Sequence, residues 1–479
     1  MASVESHHGT RVFQSGEEPV LVTLRDTSVV GLLAAIATAD LPSGRSFNKP
    51  FLVLKPSDAV GLPDAVKDHI DSVYDQVITK IIIVLVDEGE EGADIIENCV
   101  GDFATKTGIH AFLKCTSMGL PRPKLIMAPG LTTASASDGV ASVAVTTAGS
   151  GYSEDTTITV AGTTGQGAVL RPVIGTGGAI ESVVVEKPGY GYTGTLTFTF
   201  GNVGDGEDAV LAGTIGAVLN PIIAEAQGVT EKLRAMFYAD GPDGTNEQAV
   251  AARQLIGHRR VFYSDPRVLK SIGGVAYPKP SSAIFVGLQA KMDKERGAVY
   301  PGSNIVINGI QGTNRPIEYG EEANYLNFNR VNTIINRGAI DGAGGFRAWG
   351  VWTCASESIW QFVNVVRVSD LVNESIEFAF LEFNDRPQTL GNLDLMVMTG
   401  NRALKGLENE GFLLPGSKFW LSESQEPEDG AQGIVKFGMR YEVPAPMVDI
   451  RITAYRNITI GYELLYSQVT GEVEIGDLI

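Results

Sequence analysis

The chain reads as a multidomain α/β protein: an α/β middle domain, an all-β domain inserted into it, and an α+β C-terminal domain. Three observations predict this. Short aliphatic runs alternate with helix-compatible stretches over residues 21–131, the pattern of strands buried under helices. The same alternation resumes at Ile222. The stretch between, residues 132–218, is rich in Ser, Thr, Gly, Val and Ala, sparse in charge and internally duplicated.

Residues 1–20 are polar, broken by Gly9, Gly16 and Pro19, and read as an extended arm. Val20, Val22 and Leu24 alternate as a strand does, followed by Ser28 to Leu32. Pro50 to Leu54 is a short strand, and Pro56 to Tyr74 a helical stretch with Ser57-Asp58 as N-cap. Thr79 to Val86 is a buried strand, far too short to span a bilayer. Lys124 to Ala128 is another, ending at Pro129-Gly130. Asp87, Glu88, Glu90 and Glu91 follow a strand end, where catalytic carboxylates often sit. With no His or metal-type partner nearby in sequence, they read as a solvated loop.

The duplication has a constant offset of 40 residues: Ser142 to Val145 matches Ser182 to Val185, Gly149 to Tyr152 matches Gly189 to Tyr192, and Thr157 to Val160 matches Thr197 to Phe200. β-branched alternation around a Gly-x-Gly-Tyr turn predicts repeated hairpins. No helix pattern and no lysine follow the glycines, as a nucleotide loop would require.

Residues 219–345 continue the α/β domain. Ile222 to Leu233, Asn246 to Ile256 and Ser281 to Lys294 read as helices, and Arg234 to Tyr238 and Arg259 to Tyr263 as strands. In residues 346–461, Trp360 to Val368 reads as extended, with a helix from Ser369. A second helix runs from Thr389 to Glu410, with Leu393, Met396, Val397, Gly400, Leu404 and Leu407 on one side and Gly411 as its stop. Lys418 to Leu421, Gly433 to Val443 and Asp449 to Ile460 are expected as strands. The acidic tail, residues 462–479, is expected to be an extended arm carrying Tyr462, Val469 and Val473.

Composition narrows the function. Of 479 residues, 44% are hydrophobic and 19% charged, enough for a large core, and 56 are glycine. A formal net charge of −19 argues against a nucleic-acid surface and suits a basic protein partner. The polar N-terminus lacks a signal peptide's apolar stretch. Cys99, Cys115 and Cys354 have no metal-ligand spacing; they read as reduced core thiols, with a bridge between subunits as the alternative. His7-His8 lies on the arm without a supporting shell. No Gly-x-Ser-x-Gly elbow, Walker loop or zinc spacing occurs. No catalytic residue, cofactor or metal site is assigned.

The most distinctive block is Gly344-Gly345-Phe346-Arg347-Ala348-Trp349-Gly350-Val351-Trp352-Thr353-Cys354, preceded by Tyr325-Leu326-Asn327 and Asn332-Thr333-Ile334-Ile335. This order resembles the signature of the sheath subunits of contractile phage tails and R-type tailocins. The matching positions are Leu326, Asn327, Asn332, Phe346, Arg347, Trp349, Gly350 and Thr353. His7-His8-Gly9, Pro129-Gly130-Leu131 and the stretch from Gly411-Phe412 to Ser424 also fall in family order. The resemblance implies a non-enzymatic structural protein of the virion tail, made and assembled in the host cytoplasm. It implies a helical homopolymer around a tail tube protein, bounded by baseplate and tail terminator proteins, without direct membrane or nucleic-acid contact. It implies exchanged arms, here carrying Val20, Val22, Leu24, Tyr462, Val469 and Val473. It also implies a tube-contacting helix with Asn401, Arg402 and Lys405 in the C-terminal assembly domain. Sheaths of type VI secretion and extracellular contractile systems are the neighbouring alternative. A secreted carbohydrate-binding protein, suggested by the Gly-Tyr repeat, is the alternative of another class.

Overall fold

The computed structural model describes residues 26–470, other than 91, 134–135, 162–164, 339–341 and 343. The chain divides into two units, one ending at Ala445 and the other beginning at Pro446. The larger is organised on a six-stranded sheet of β1 (Val30–Ile36), β2 (Phe51–Val53), β3 (Ile81–Asp87), β4 (Leu125–Met127), β11 (Met236–Asp240) and β12 (Val261–Ser264), in the order β12-β11-β4-β1-β3-β2. Neighbours are parallel except the edge strand β2. Both faces are covered, which is why β3 is aliphatic at every position from Ile81 to Val86. Ile82, Val84 and Val86 point into one core with Ile222, Ala226 and Val229 of α3 (Pro221–Leu233). Ile81, Ile83 and Leu85 point into the other with α1 (Asp64–Tyr74) and α5 (Ser282–Glu295).

The sheet is assembled from both sides of the low-charge stretch, since β4 precedes it and its neighbour β11 follows it. The ends of that stretch meet: Asn220 Nδ2 donates to the Leu131 carbonyl at 3.2 Å, and Asn220 Oδ1 caps α3 by accepting from Ile222 N–H at 2.9 Å. Among the described residues, only strands and one short turn of helix lie between them: β5 (Ala136–Thr147), β6 (Thr157–Ala161), β7 (Gln166–Ile174), β8 (Ile180–Tyr190), β9 (Thr197–Gly201) and β10 (Val210–Val218). The hairpins expected within each repeat are largely replaced by pairing across the repeats. β6 pairs with β9, β7 with β8 and β10 with β5.

Beyond β11 come α4 (Asn246–Gln254), the hairpin β13 (Val268–Ile272) and β14 (Val275–Lys279), β15 (Gly312–Thr313), α6 (Glu321–Phe328), and the ribbon β16 (Thr333–Asn336) with β17 (Phe346–Trp349). The helix α2 (Gly92–Val100) has no counterpart among the elements expected from the sequence. The unit closes with α7 (Val363–Phe380), α8 (Leu390–Asn409), β18 (Lys418–Leu421), the short α9 (Pro427–Ala431) and β19 (Phe437–Arg440) around Val368, Leu371, Val372, Leu404, Leu407 and Phe419.

The structure corrects several expectations. The helical stretch Pro56 to Tyr74 is broken: Pro56–Ala59 is a single 3-10 turn, and Gly61 at φ 89° and Pro63 delay α1 to Asp64. Trp360 to Val368 is not extended, because α7 starts at Val363. Its β-branched run is a poor helix former in isolation, but burial decides. Of Gly433 to Val443 only Phe437–Arg440 is paired. In the smaller unit, residues 446–457 form no strand, and Ile458–Thr470 is a helix, α10. Tyr462 and Val469 therefore stand on a helix, where Ile458, Tyr462, Tyr466 and Val469 recur at helical spacing and the Tyr462 and Tyr466 rings lie 6.0 Å apart. Val20, Val22, Leu24, Val473 and the His7-His8 pair lie outside the described residues.

Candidate assembly site

Asn327, Asn332 and Gly350 of the signature meet at Trp352 in one joint, with the other signature residues packed around it. Asn332 follows α6 and lies alongside the end of β12, forming an isolated parallel bridge with Ser264. Its side chain is wholly buried and saturated: Nδ2 donates to the carbonyls of Tyr263 (3.0 Å) and Trp352 (2.9 Å), and Oδ1 accepts from Trp352 N–H (2.9 Å). Gly350 makes room for it. Its φ is 146°, and a Cβ there would sit 2.3 Å from Asn332 Oδ1. Asn327 Oδ1 accepts from Trp352 Nε1 at 2.9 Å, while its Nδ2 donates to the Ala323 carbonyl at 2.9 Å. Leu326 is fully buried in the core. Thr353 Oγ1 donates to the Trp360 carbonyl at 2.6 Å. Arg347 Nη1 donates to the Asn304 carbonyl at 2.8 Å. Phe346 packs against the second core, and the Trp349 ring meets Tyr319 edge-on at 5.6 Å. These side chains thus fasten the sheet to the segment entering α7.

A second device, missed in the sequence, binds α7 itself. Arg367, Asp370 and Glu374 recur at helical spacing on one face, and each meets an opposite charge from the sheet body. Arg367 pairs in a two-pronged fashion with Asp293 of α5, its Nη1 lying 2.7 Å from Oδ1. Arg260, which precedes β12, forks onto Asp370 (Nη2 to Oδ1, 2.8 Å), and its Nε lies 2.9 Å from Glu231 Oε2. Lys124, ahead of β4, reaches Glu374 at 2.6 Å and donates to the Leu233 carbonyl at 3.1 Å. Burial pulls the Lys124 ammonium below its usual range, and Glu374 opposes that pull. The legible signal was there: Arg367, Asp370 and Glu374 recur at i, i+3 and i+7 among the buried valines of the helix.

The expected partner-facing helix is α8. Thr389 caps it by accepting from Asn392 N–H at 3.3 Å. Asn401 is consumed internally: Nδ2 donates to the carbonyls of Val397 (2.9 Å) and Phe419 (2.7 Å), and Oδ1 accepts from Phe419 N–H (3.0 Å). It clips the helix to β18. Gly400 permits that approach, since a Cβ there would lie 2.5 Å from the Phe419 ring. Arg402 and Lys405 stay exposed, one helical turn apart. Lys405 pairs with Glu408 at 2.7 Å, and Glu408 also accepts from Gly416 and Ser417 N–H. The Lys405 hydrogen bond leads in holding Glu408 down at about 2.

The smaller unit has a different character. Residues 446–457 have no regular secondary structure, and Met447, Val448, Ile450, Ile452 and Tyr455 are exposed. Val448, Ile450 and Ile452 alternate with Asp449, Arg451 and Thr453, the pattern of a strand covered on one face.

The remaining chemistry is inert. Cys99, Cys115 and Cys354 are buried and unpaired. Burial pushes Cys99 and Cys115 up to about 12 and Cys354 to about 11. Among the described residues, no group of three or more His, Cys, Asp or Glu is placed to hold a metal, and no helix is long and apolar enough to cross a membrane.

No family model matches the chain. Named relatives do. A Pseudomonas aeruginosa (strain UCBPP-PA14) protein, a prophage major tail sheath protein by its description, is 37% identical over 226 residues, covering 45% of this chain and 57% of that protein. The tail sheath protein of Burkholderia phage BcepMu is 29% identical over 264 residues, covering 51% and 54%. That of Escherichia phage P2 is 22% identical over 473 residues, covering 95% and 96%. The chain is similar to tail sheath proteins of phages and prophages, in one case along nearly its whole length. The matched stretches span just over half of the first two sheath proteins and nearly all of the third. Two solved sheaths share the fold at 13% identity. The PVC sheath complex of an extracellular contractile injection system, in its contracted state, gives a TM-score of 0.58 over 95% of this chain and 99% of that one. The contracted helical sheath of the anti-feeding prophage gives 0.57 over 95% and 100%. The mixed α/β, multisheet fold of this chain is thus sheath-like.

Proposed function

We propose that this chain is the structural subunit of a contractile tail sheath, polymerising helically around a tail tube and contracting to drive it through the host envelope. The role is mechanical, not catalytic. The observation that carries it is the exposed, strand-patterned run Val448–Tyr455 of the smaller unit; the larger unit, for its part, holds a sheet of only two strands, β18–β19, among its described residues. A run that buries nothing in its own chain suits donation to the sheet of a neighbouring copy, where main-chain hydrogen bonds supply affinity. This moves the C-terminal coupling strand upstream of Tyr462, Val469 and Val473. Val20, Val22 and Leu24 remain the N-terminal counterpart. Arg402 and Lys405 are the proposed tube-facing pair on α8, with Asn401 holding the helix in place. The other proposed partners are the baseplate and tail terminator proteins, and the site of action is the virion tail. A second reading is the sheath of an extracellular contractile injection system, favoured by the PVC and anti-feeding prophage likenesses; a capsid and portal encoded nearby would exclude it. Negative-stain microscopy of the purified protein tests the proposal. Tubes or stacked rings are expected, and persistent monomers at high concentration would overturn it.

A further inference from the structure

The inserted β-domain is two copies of one unit closed around a pseudo-twofold axis. β7 pairs with β8 as Val169↔Lys187, Leu170↔Val185, Arg171↔Val184, Pro172↔Val183, Val173↔Ser182 and Ile174↔Ile180. β10 pairs with β5 as Val210↔Thr147, Leu211↔Val145, Ala212↔Ala144, Gly213↔Val143, Thr214↔Ser142 and Ile215↔Val140. The second series is the first with one strand moved 41 residues on and the other 40 back (Ile174 to Ile215, Ile180 to Val140). Even two register shifts coincide, at Val169/Leu170 with Val210/Leu211 and at Val173/Ile174 with Thr214/Ile215. β6 and β9 cross on the axis, with Ile158↔Phe200 and Val160↔Phe198 flanking Thr159↔Thr199. The Gly-x-Gly-Tyr turns superimpose in role: Gly149 and Gly151 have φ 63° and 76°, Gly189 and Gly191 61° and 75°. The buried hydroxyl of Tyr152 accepts from Ala209 N–H at 3.2 Å, and that of Tyr192 from Ala168 N–H at 3.0 Å.

Against this symmetry, the contacts with the α/β body are one-sided. Lys187 pairs with Glu225 of α3. Gln166 Nε2 donates to Glu97 of α2 at 2.8 Å and to the Tyr190 hydroxyl at 3.2 Å. Glu225 is itself held by His110 Nε2 at 3.3 Å. The symmetry-related positions carry different chemistry: Thr147 for Lys187, Ser150 for Tyr190 and Glu207 for Gln166. The backbone there is the same, for Ser150 bridges Glu207 as Tyr190 pairs with Gln166. The frame is preserved, and the residues that touch α2 and α3 are among those that differ.

We infer that Gln166, Lys187 and Tyr190 form a docking surface for the acidic face of α2 and α3, so that the insert is carried as a fixed projection of the subunit body. The two repeats supply the fold, and their divergence supplies the orientation. Transplanting residues between the two faces tests this in the full-length chain. Q166E/K187T gives the docked face the residues of the opposite face, and T147K/E207Q makes the reciprocal change. Hydrogen exchange is followed in α2, α3, β8 and the β6–β9 pair. Exchange in α3 and β8 is expected to quicken at least tenfold in Q166E/K187T, with β6–β9 unchanged and no effect of T147K/E207Q. Unchanged protection of α3 and β8 would overturn the docking role. Loss of β6–β9 protection together with theirs would overturn the insert's independence as a module. K187T alone, which adds no carboxylate beside Glu97, gives the same reading at smaller amplitude if the double variant does not fold.

Discussion

Replacing Asn332 by alanine isolates the joint that the signature builds. The Tyr263 carbonyl keeps the backbone N–H of residue 332 as a donor at 3.0 Å. Trp352 loses its side-chain partners at both N–H and C=O. Leaving a buried polar group unpaired costs about 1–3 kcal/mol, so Asn332→Ala is expected to cost about 2–6 kcal/mol. Gly350→Ala should cost about 1–3 kcal/mol by itself, because its φ is 146° and the new Cβ would strike Asn332 Oδ1 at 2.3 Å. The two changes must interact. With the amide gone the closest clash disappears, although Asn332 Cβ remains 2.8 Å away. Gly350→Ala should therefore cost less in the Asn332→Ala background, by about 1 kcal/mol, within the range for contacting residues. Urea unfolding followed by tryptophan emission reads the cycle, since Trp349 and Trp352 sit in the joint. Asn332→Ala within about 0.5 kcal/mol of wild type, or strict additivity with Gly350→Ala, would refute the saturated-joint account.

Three further outcomes are expected. Replacing residues 134–217 with a short Gly/Ser linker should leave tube formation intact, because Leu131 and Asn220 already touch; a soluble variant that forms no tubes in the microscope would place the insert in the lattice. Truncation after Ala445, or Ile450→Pro, should abolish tubes while changing the melting temperature little, since no residue from 446 to 457 is buried; normal tubes from both, by light scattering and microscopy, would exclude this run as the coupler. Glu225 is held below the ordinary glutamate value, first by the His110 hydrogen bond and then by Lys187. Its stabilisation is complete above about 4.5 and is lost as pH falls through the depressed value, so the stability gap between wild type and Glu225→Gln should narrow between about pH 5 and pH 3; a gap independent of pH would show that the charge plays no part.

Strong periodicity was legible and partner-dependent structure was not. β3 could be read from six consecutive aliphatic residues, and α8 from the spacing of Leu393, Val397, Gly400, Leu404 and Leu407, because each pattern states its own burial. The 40-residue repeat announced the duplication, but strand exchange was invisible: Thr157 to Val160 has the same sequence logic whether it pairs inside its repeat or with Thr197 to Gly201. Val363 to Val368 misled through β-propensity, which tertiary burial overrode. The signature was recognisable as a motif, yet its physical work shows only when Asn332, Gly350 and Trp352, distant in chain order, come together. The clip that Asn401 makes to β18 was not legible, because an asparagine's side-chain partners cannot be inferred from helical spacing.

The charge order along α7 acts as a combination lock. Reading Arg367, Asp370, Glu374 against Asp293, Arg260, Lys124, the helix shows plus, minus, minus to a complementary minus, plus, plus. Sliding the helix by one turn, about 5.4 Å, would bring Arg367 opposite Arg260 with both charges out of water, a penalty no new contact there could offset. The one-turn ratchet that packed helices can use for switching is thereby closed to this one. Whatever shape change the subunit makes, α7 travels with the sheet, and the freedom to move must reside in other segments.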